Sequence, residues 1–184
     1  MADYTEFTSL VNNFVPNIPP FVVAKAAQQC SQDFFGRTTE LQEQQTLSVT
    51  EGKRKYTLRP QTADTFINLV LSVEDDKGRE IAFCQHANEL VLDPIPRKNE
   101  DLTIRLALCP NLESSEIPDD VYFRHSTPLR YGVLAILKAQ PNTEWYHPQE
   151  AASYRAMYEQ EISQSKILQY TTNPYLKMEI DSFN

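Results

Sequence analysis

Apolar residues recur with helical spacing at both ends of this 184-residue chain and with strand spacing in the middle. A fold built from it must therefore bring helices together from the two ends around an inserted β region. The stretch from Ile117 to Gln164 is the clearest helical part. Pro118 followed by Asp119 and Asp120 predicts a helix start, because carboxylates suit the amide-rich positive end of a helix. Leu129, Val133, Leu134, Ile136 and Leu137 then recur at three- and four-residue spacing, as a buried helix face requires. Pro128 removes one backbone bond and crowds the preceding turn, which predicts either a kink or a fresh start with Thr127 as cap. Pro141 ends this helix, Asn142 to Tyr146 turn the chain, and Pro148 opens the next helix, expected to run to about Leu168. Its inward positions are Ala151, Tyr154, Met157 or Tyr158, and Ile162, with Glu150, Arg155, Glu159 and Lys166 facing water.

At the other end, residues 3–14 predict a short helix with Phe7, Leu10, Val11 and Phe14 on one side. After the rigid Asn17-Ile18-Pro19-Pro20, a helix from Phe21 to Phe35 steps through Val22, Ala26, Cys30 and Phe34, flanked by Val23 and Ala27, with Gly36 as its stop. Beyond Thr38 the period changes. Candidate strands are Leu41 to Val49, Lys55 to Leu58, Thr65 to Val73, Arg79 to Cys84, Glu89 to Leu92 and Leu102 to Leu108. Turn signals separate them at Glu51-Gly52, at Asp75 to Gly78 and at Pro94 to Asn99. In the last strand Leu102, Ile104, Leu106 and Leu108 alternate with Thr103, Arg105 and Ala107, so one side is buried and the other partly wet.

The expected fold is thus α+β. A helical core comes from residues 1–37 and 118–168, an antiparallel β-rich module from 38–117 is inserted in it, and an extended C-terminal tail occupies 169–184. That tail has no helical period and contains a proline, yet it carries Tyr170, Tyr175, Leu176, Met178, Ile180 and Phe183. So many large apolar groups point to binding, either to a neighbouring chain or back onto the same domain.

Charge and cysteine usage narrow the function classes. The net charge of −8 argues against a phosphate-gripping surface, since nucleic-acid affinity rests on Lys and Arg neutralising phosphates. The first residues are acidic and no run of about 18 apolar residues occurs, so neither a signal peptide nor a membrane span is expected, and the chain reads as cytosolic when made. Cys30, Cys84 and Cys109 are widely spaced with no C-x-x-C pair, which reads as small apolar groups rather than as a disulfide framework or a thiolate metal site. His86, His125 and His147 are isolated and read as surface or capping groups, not metal ligands.

No G-x-S-x-G and no glycine-rich phosphate loop is present among the four glycines. The acid clusters Glu74-Asp75-Asp76 and Glu116 with Asp119-Asp120 could supply paired carboxylates, but a turn and a helix start account for them. No catalytic residue, cofactor or metal is expected. Trp145, in the helix-helix loop, reads either as a wedge closing the core or as an interface anchor. Trp145 and Tyr146, with the tail residues Tyr170, Tyr175, Leu176, Met178, Ile180 and Phe183, are the candidate protein-interface residues.

Several stretches together resemble the head-to-tail adaptor (connector) proteins of short-tailed bacteriophages. They are V-P-N-I-P-P-F-V-V-A-K-A-A-Q-Q-C-S-Q-D-F-F from Val15, L-D-P-I-P from Leu92, L-T-I-R-L-A-L-C-P from Leu102, I-P-D-D from Ile117, and Y-G-V-L-A-I-L-K-A-Q-P-N-T-E-W-Y-H-P-Q-E-A-A-S-Y-R-A-M-Y-E-Q-E-I from Tyr131. They cover roughly residues 15 to 165; Pro128 departs from the pattern, and the tail after Leu168 lies beyond it.

The resemblance implies a non-enzymatic virion protein of the neck, made in the host cytoplasm, that forms a dodecameric ring with copies of itself. The ring would join the portal protein to the tail nozzle or tail tube, with tail fibres as further neighbours, and genomic DNA would pass through its channel without specific binding. On that reading the β module faces the tail, and the apolar tail docks on the portal or an adjacent subunit. Two other classes remain open. One is a monomeric peptide-binding module whose sheet edges recruit a partner strand; the other is a cell-wall glycan hydrolase using carboxylates such as Glu116 and Asp119.

Overall fold

The structure of the protein, a computed structural model, describes residues 2–172. Along the chain come β1 (Ala2–Asp3), a single 3-10 turn (Tyr4–Glu6), α1 (Phe7–Val11) and α2 (Pro20–Thr38). Then follow β2 (Gln42–Val49), β3 (Lys55–Thr57), β4 (Thr65–Glu74), β5 (Ala82–His86), β6 (Glu89–Asp93), β7 (Glu100–Pro110) and β8 (Glu116–Ile117). Two helices close the order, α3 (Asp119–Lys138) and α4 (Pro148–Thr172). The fold is α+β: helices from the two ends of the chain pack together and antiparallel sheets are inserted between them in sequence. Two compact units result, one made of Met1–Thr38 and Pro110–Ser165, the other of Thr39–Cys109 with the end of α4 from Lys166.

In the helical unit, α2 starts at Pro20, whose fixed φ suits a first helical position. It runs past Gly36 to Thr38, two residues beyond the stop expected at that glycine. The apolar face explains the difference. Val23, Ala26, Ala27, Cys30, Phe34 and Phe35 are all buried, and Thr38 is buried with them, its hydroxyl donating to the Phe34 carbonyl at 2.7 Å. The chain leaves the helix through Thr39 in the left-handed region (φ 55°), the role that glycine more often fills.

Helix α3 bends where Pro128 predicts a kink: His125, three residues earlier, has φ −113° and ψ 16°. Contrary to a surface role, His125 is half-buried, with its ring 5.2 Å from Phe34 and 6.1 Å from Phe35. His147 does act as a cap, its Nδ1 accepting from the Glu150 N–H at 3.3 Å at the start of α4. Helix α4 buries Ala151, Tyr158 and Ile162, while Tyr154 is half-buried and Met157 is exposed, so Tyr158 takes the inward place. It continues to Thr172, past the end expected near Leu168.

Three ties hold α2 to α3 and α4. Cys30 Sγ donates to the Leu129 carbonyl at 3.5 Å, and burial pushes this thiol up to about 12, so it stays protonated. The Tyr158 hydroxyl donates to Asp33 Oδ2 at 2.8 Å. Arg37 meets Glu159 with both terminal guanidinium nitrogens, Nη1 at 3.0 Å from Oε1, and this pairing lowers the Glu159 carboxyl. Of the other thiols, burial pushes Cys109 up to about 11, whereas Cys84 is exposed, against the expectation that all three are core residues.

In the β unit, β7 lies between β2 and β4, and β6 lies between β3 and β5. The alternation read in β7 holds from Leu102 to Leu106, with Leu102, Ile104 and Leu106 buried and Arg105 exposed, but Ala107, expected on the wetter side, is buried along with Leu108. The strand runs from Glu100 to Pro110, and Cys109 is buried as well.

The acidic turn at Asp75 has a structural use. Its carboxylate accepts the N–H groups of Lys77 and Arg79, each at 2.9 Å, and the Arg79 Nε at 2.7 Å. The Arg79 side chain foremost, then these amides, holds the Asp75 carboxyl at about 2, below its ordinary 3.8. A depressed folded-state value gives stability that is complete above the unfolded value and is lost as pH falls through the folded one. Stepwise denaturation between pH 4 and pH 2 is therefore expected to show an acid-induced loss that Asp75→Asn reduces; an unchanged pH slope would exclude this turn as a source.

Candidate interaction site

The loop between α3 and α4 is shaped by its two ends. Lys138 closes α3 and is buried, with its Nζ 2.8 Å from Glu150 Oε2 in the first turn of α4. The same lysine's carbonyl accepts the His147 N–H at 2.9 Å, so one residue ties the loop twice. Between these ties Asn142 adopts φ 62° and Tyr146 N–H donates to the Thr143 carbonyl at 3.2 Å. The Glu150 carboxyl is lowered chiefly by its hydrogen bond from Lys138.

This scaffold brings Trp145 and Tyr146 to one place. Trp145 is half-buried, and its indole Nε1 is enclosed without a hydrogen-bond partner. Tyr146 is 48% exposed. It stands between two concavities of the helical unit. One, about 280 Å³, is lined by Phe14, Val15, Pro16, Lys138, Trp145 and Tyr146 among others. The second, about 450 Å³, is a groove between α3 and α4 lined by Ala135, Ile136, Ala139, Ala151, Ala152 and Arg155 together with Tyr146. Small alanines make its floor shallow and apolar.

Of the other residues read as interface candidates, Tyr170 falls in the last part of α4, where its side chain is not described. Tyr175, Leu176, Met178, Ile180 and Phe183 lie outside the described residues.

Sequence reasoning missed an aromatic and cationic cluster beside this loop. The Arg130 guanidinium carbon sits 5.8 Å from the Phe14 ring centre and 5.4 Å from that of Tyr131, and Tyr154 meets Phe14 at 6.2 Å and Tyr131 at 6.3 Å. Arg130-Tyr131 just before Gly132 was the available signal, but the partner Phe14 is more than a hundred positions away in the sequence. Equally unforeseen are the apolar groups in water: Phe21 and Phe123 are each 73% exposed, Leu112 59% and Met157 45%.

Glu116 pairs in β8 with Asp3 of β1, and Asp119 opens α3. Among the described residues no group of His, Cys, Asp and Glu is placed to hold a metal ion, and no helix is long and apolar enough to cross a membrane. Comparison of the sequence with protein-family models and with curated proteins gives no match.

Proposed function

We propose that the protein is a structural subunit that assembles with copies of itself into a ring, acting as a head-to-tail adaptor between the portal and the tail of a short-tailed phage. The sequence motifs quoted above suggest the family. The observation that carries the reading in the structure is the exposure of Phe21 and Phe123 on the helical unit, each nearly three-quarters open to water. Large aromatic side chains are among the groups that dominate subunit interfaces. In a closed ring each subunit offers one face to the next, so two different surfaces of one chain are covered at once. The Tyr146 groove is a second apolar surface of the same unit. On this reading the acidity of the chain, −8 overall, repels DNA phosphates and lets genomic DNA pass without adhering.

The test is the mass of the purified protein by light scattering after size exclusion, alone and mixed with portal protein. A 21.2 kDa monomer that joins the portal as a ring of many copies is the expected result; a monomer that stays monomeric with every portal offered overturns it. Phe123→Asp and Phe21→Asp are each expected to reduce ring assembly at least tenfold while leaving the helical circular dichroism signal intact. Assembly at the wild-type level in both variants would remove the support these residues give.

A further inference from the structure

We propose that the C-terminal segment Leu176–Asp181 adds as a β-strand to the outer edge of β2. The two three-stranded sheets have four edges. Those of β4 and β5 are turned to each other: the Val70 N–H donates to Gln85 Oε1 at 2.7 Å and the Ile81 N–H to the Val73 carbonyl at 2.8 Å. The edge at β3 is only Lys55–Thr57, short and carrying a lysine, two devices that discourage strand addition. The edge at β2 has no such protection. It spans Gln42–Val49 with no lysine, arginine or proline, and among the described residues only β7 pairs with it.

Its first end is covered, because the Glu43 carboxylate accepts the N–H groups of Gln61 and Thr62. Gln45–Val49 is the part left open. On the core face here, Leu102 and Ile104 of β7 are fully buried, but their partners across the ladder, Leu47 and Gln45, are only half-buried. The apolar layer of this sheet therefore stops one strand short of full cover.

The segment that fits has the required pattern. Leu176, Met178 and Ile180 alternate with Lys177, Glu179 and Asp181, a strict period of two. An added strand would place Leu176, Met178 and Ile180 over the row of Gln45 and Leu47 and extend the layer above Leu102 and Ile104. Lys177, Glu179 and Asp181 would then face water and charge the new edge, which stops further addition. The six-residue segment is long enough to span the five residues of Gln45–Val49, and backbone hydrogen bonds supply the affinity while the alternating apolar groups set the register.

Amide hydrogen exchange tests this without any need for a ring. The full chain is compared with Met178→Asp/Ile180→Asp, and a chain ending at Thr172 is measured with and without a synthetic peptide of residues 173–184. At least tenfold faster exchange within Gln45–Val49 is expected in the double variant and in the shortened chain. The peptide should restore the protection, and Lys177→Ala should leave it as in the wild type. Equal exchange at Gln45–Val49 in all forms overturns the proposal, as does a loss of protection spread evenly through α2 and α3. Because the peptide is added in trans to a chain of known mass, failure here is distinct from failure to form a ring.

Discussion

Gly132→Ala is expected to destabilise the protein by about 2 kcal/mol, although an alanine in place of a mid-helix glycine ordinarily gains roughly 1 kcal/mol. The reason is the closeness of α2 and α4 to α3 at this point. A Cβ at Gly132 would lie 2.2 Å from Cys30 Sγ and 3.0 Å from Tyr158 Cε2. Neither neighbour can withdraw cheaply, since Cys30 is a short side chain fixed on α2 and the Tyr158 ring is 1% exposed. Two helices must shift, and the overpacking outweighs the helix-propensity gain. The melting temperature should fall by about 4–8 °C for a chain of this size. Cys30→Ala removes the atom at 2.2 Å, so the double variant should be more stable than Gly132→Ala alone. A Gly132→Ala protein as stable as the wild type would show that the helices do not approach this closely.

Phe34→Ala is expected to cost about 4 kcal/mol, in the range for deleting a fully buried aromatic ring. Phe34 is wholly buried, and its ring centre lies 5.2 Å from Phe35, 5.2 Å from His125 and 6.4 Å from Tyr158. It thus stands where α2 meets the bend of α3 and the middle of α4, and no one of these three can close the cavity without leaving the others. Denaturant midpoints measured beside Phe21→Ala make the contrast. That residue is 73% exposed, and its loss should change stability by about 0.5 kcal/mol or less. A cost for Phe34→Ala as small as that for Phe21→Ala would mean that the three helices are not joined at this ring.

The fold was largely legible because its signals are local. Period-two alternation in Leu102 to Leu108, the turn residues at Asp75 to Gly78, and prolines at the starts of α2 and α4 act within a few residues of themselves. Where reading failed, a distant partner decided the outcome. Gly36 does not stop α2, because the buried Phe34, Phe35 and Thr38 carry the helix two residues further. His125 lies against Phe34 and Phe35, contacts that no spacing in the sequence reveals. The candidate site was legible only as residue types. Trp145 and Tyr146 stand out by composition, but the Lys138–Glu150 tie beneath them and the Phe14–Arg130 contact beside them join separate segments.

The inserted unit begins and ends at one spot. Gln42 faces Ala107 across the first rung of the β2–β7 ladder, and the Leu108 N–H donates to the Leu41 carbonyl at 2.7 Å. Backbones opposed in this way are about 5 Å apart. To the helices, some 70 residues of intervening chain thus act as a single tight turn, once that ladder has formed. Closing an unstructured loop of about 70 residues would cost about 4 kcal/mol, a cost the folded ladder has already met. The Thr39–Cys109 part of the inserted unit is one continuous stretch, so its ladder can form first and hand the helical unit two ends already side by side. The same geometry makes the insertion exchangeable: any module whose two ends lie as close could be grafted between Thr38 and Pro110 without lengthening the path the helices must close.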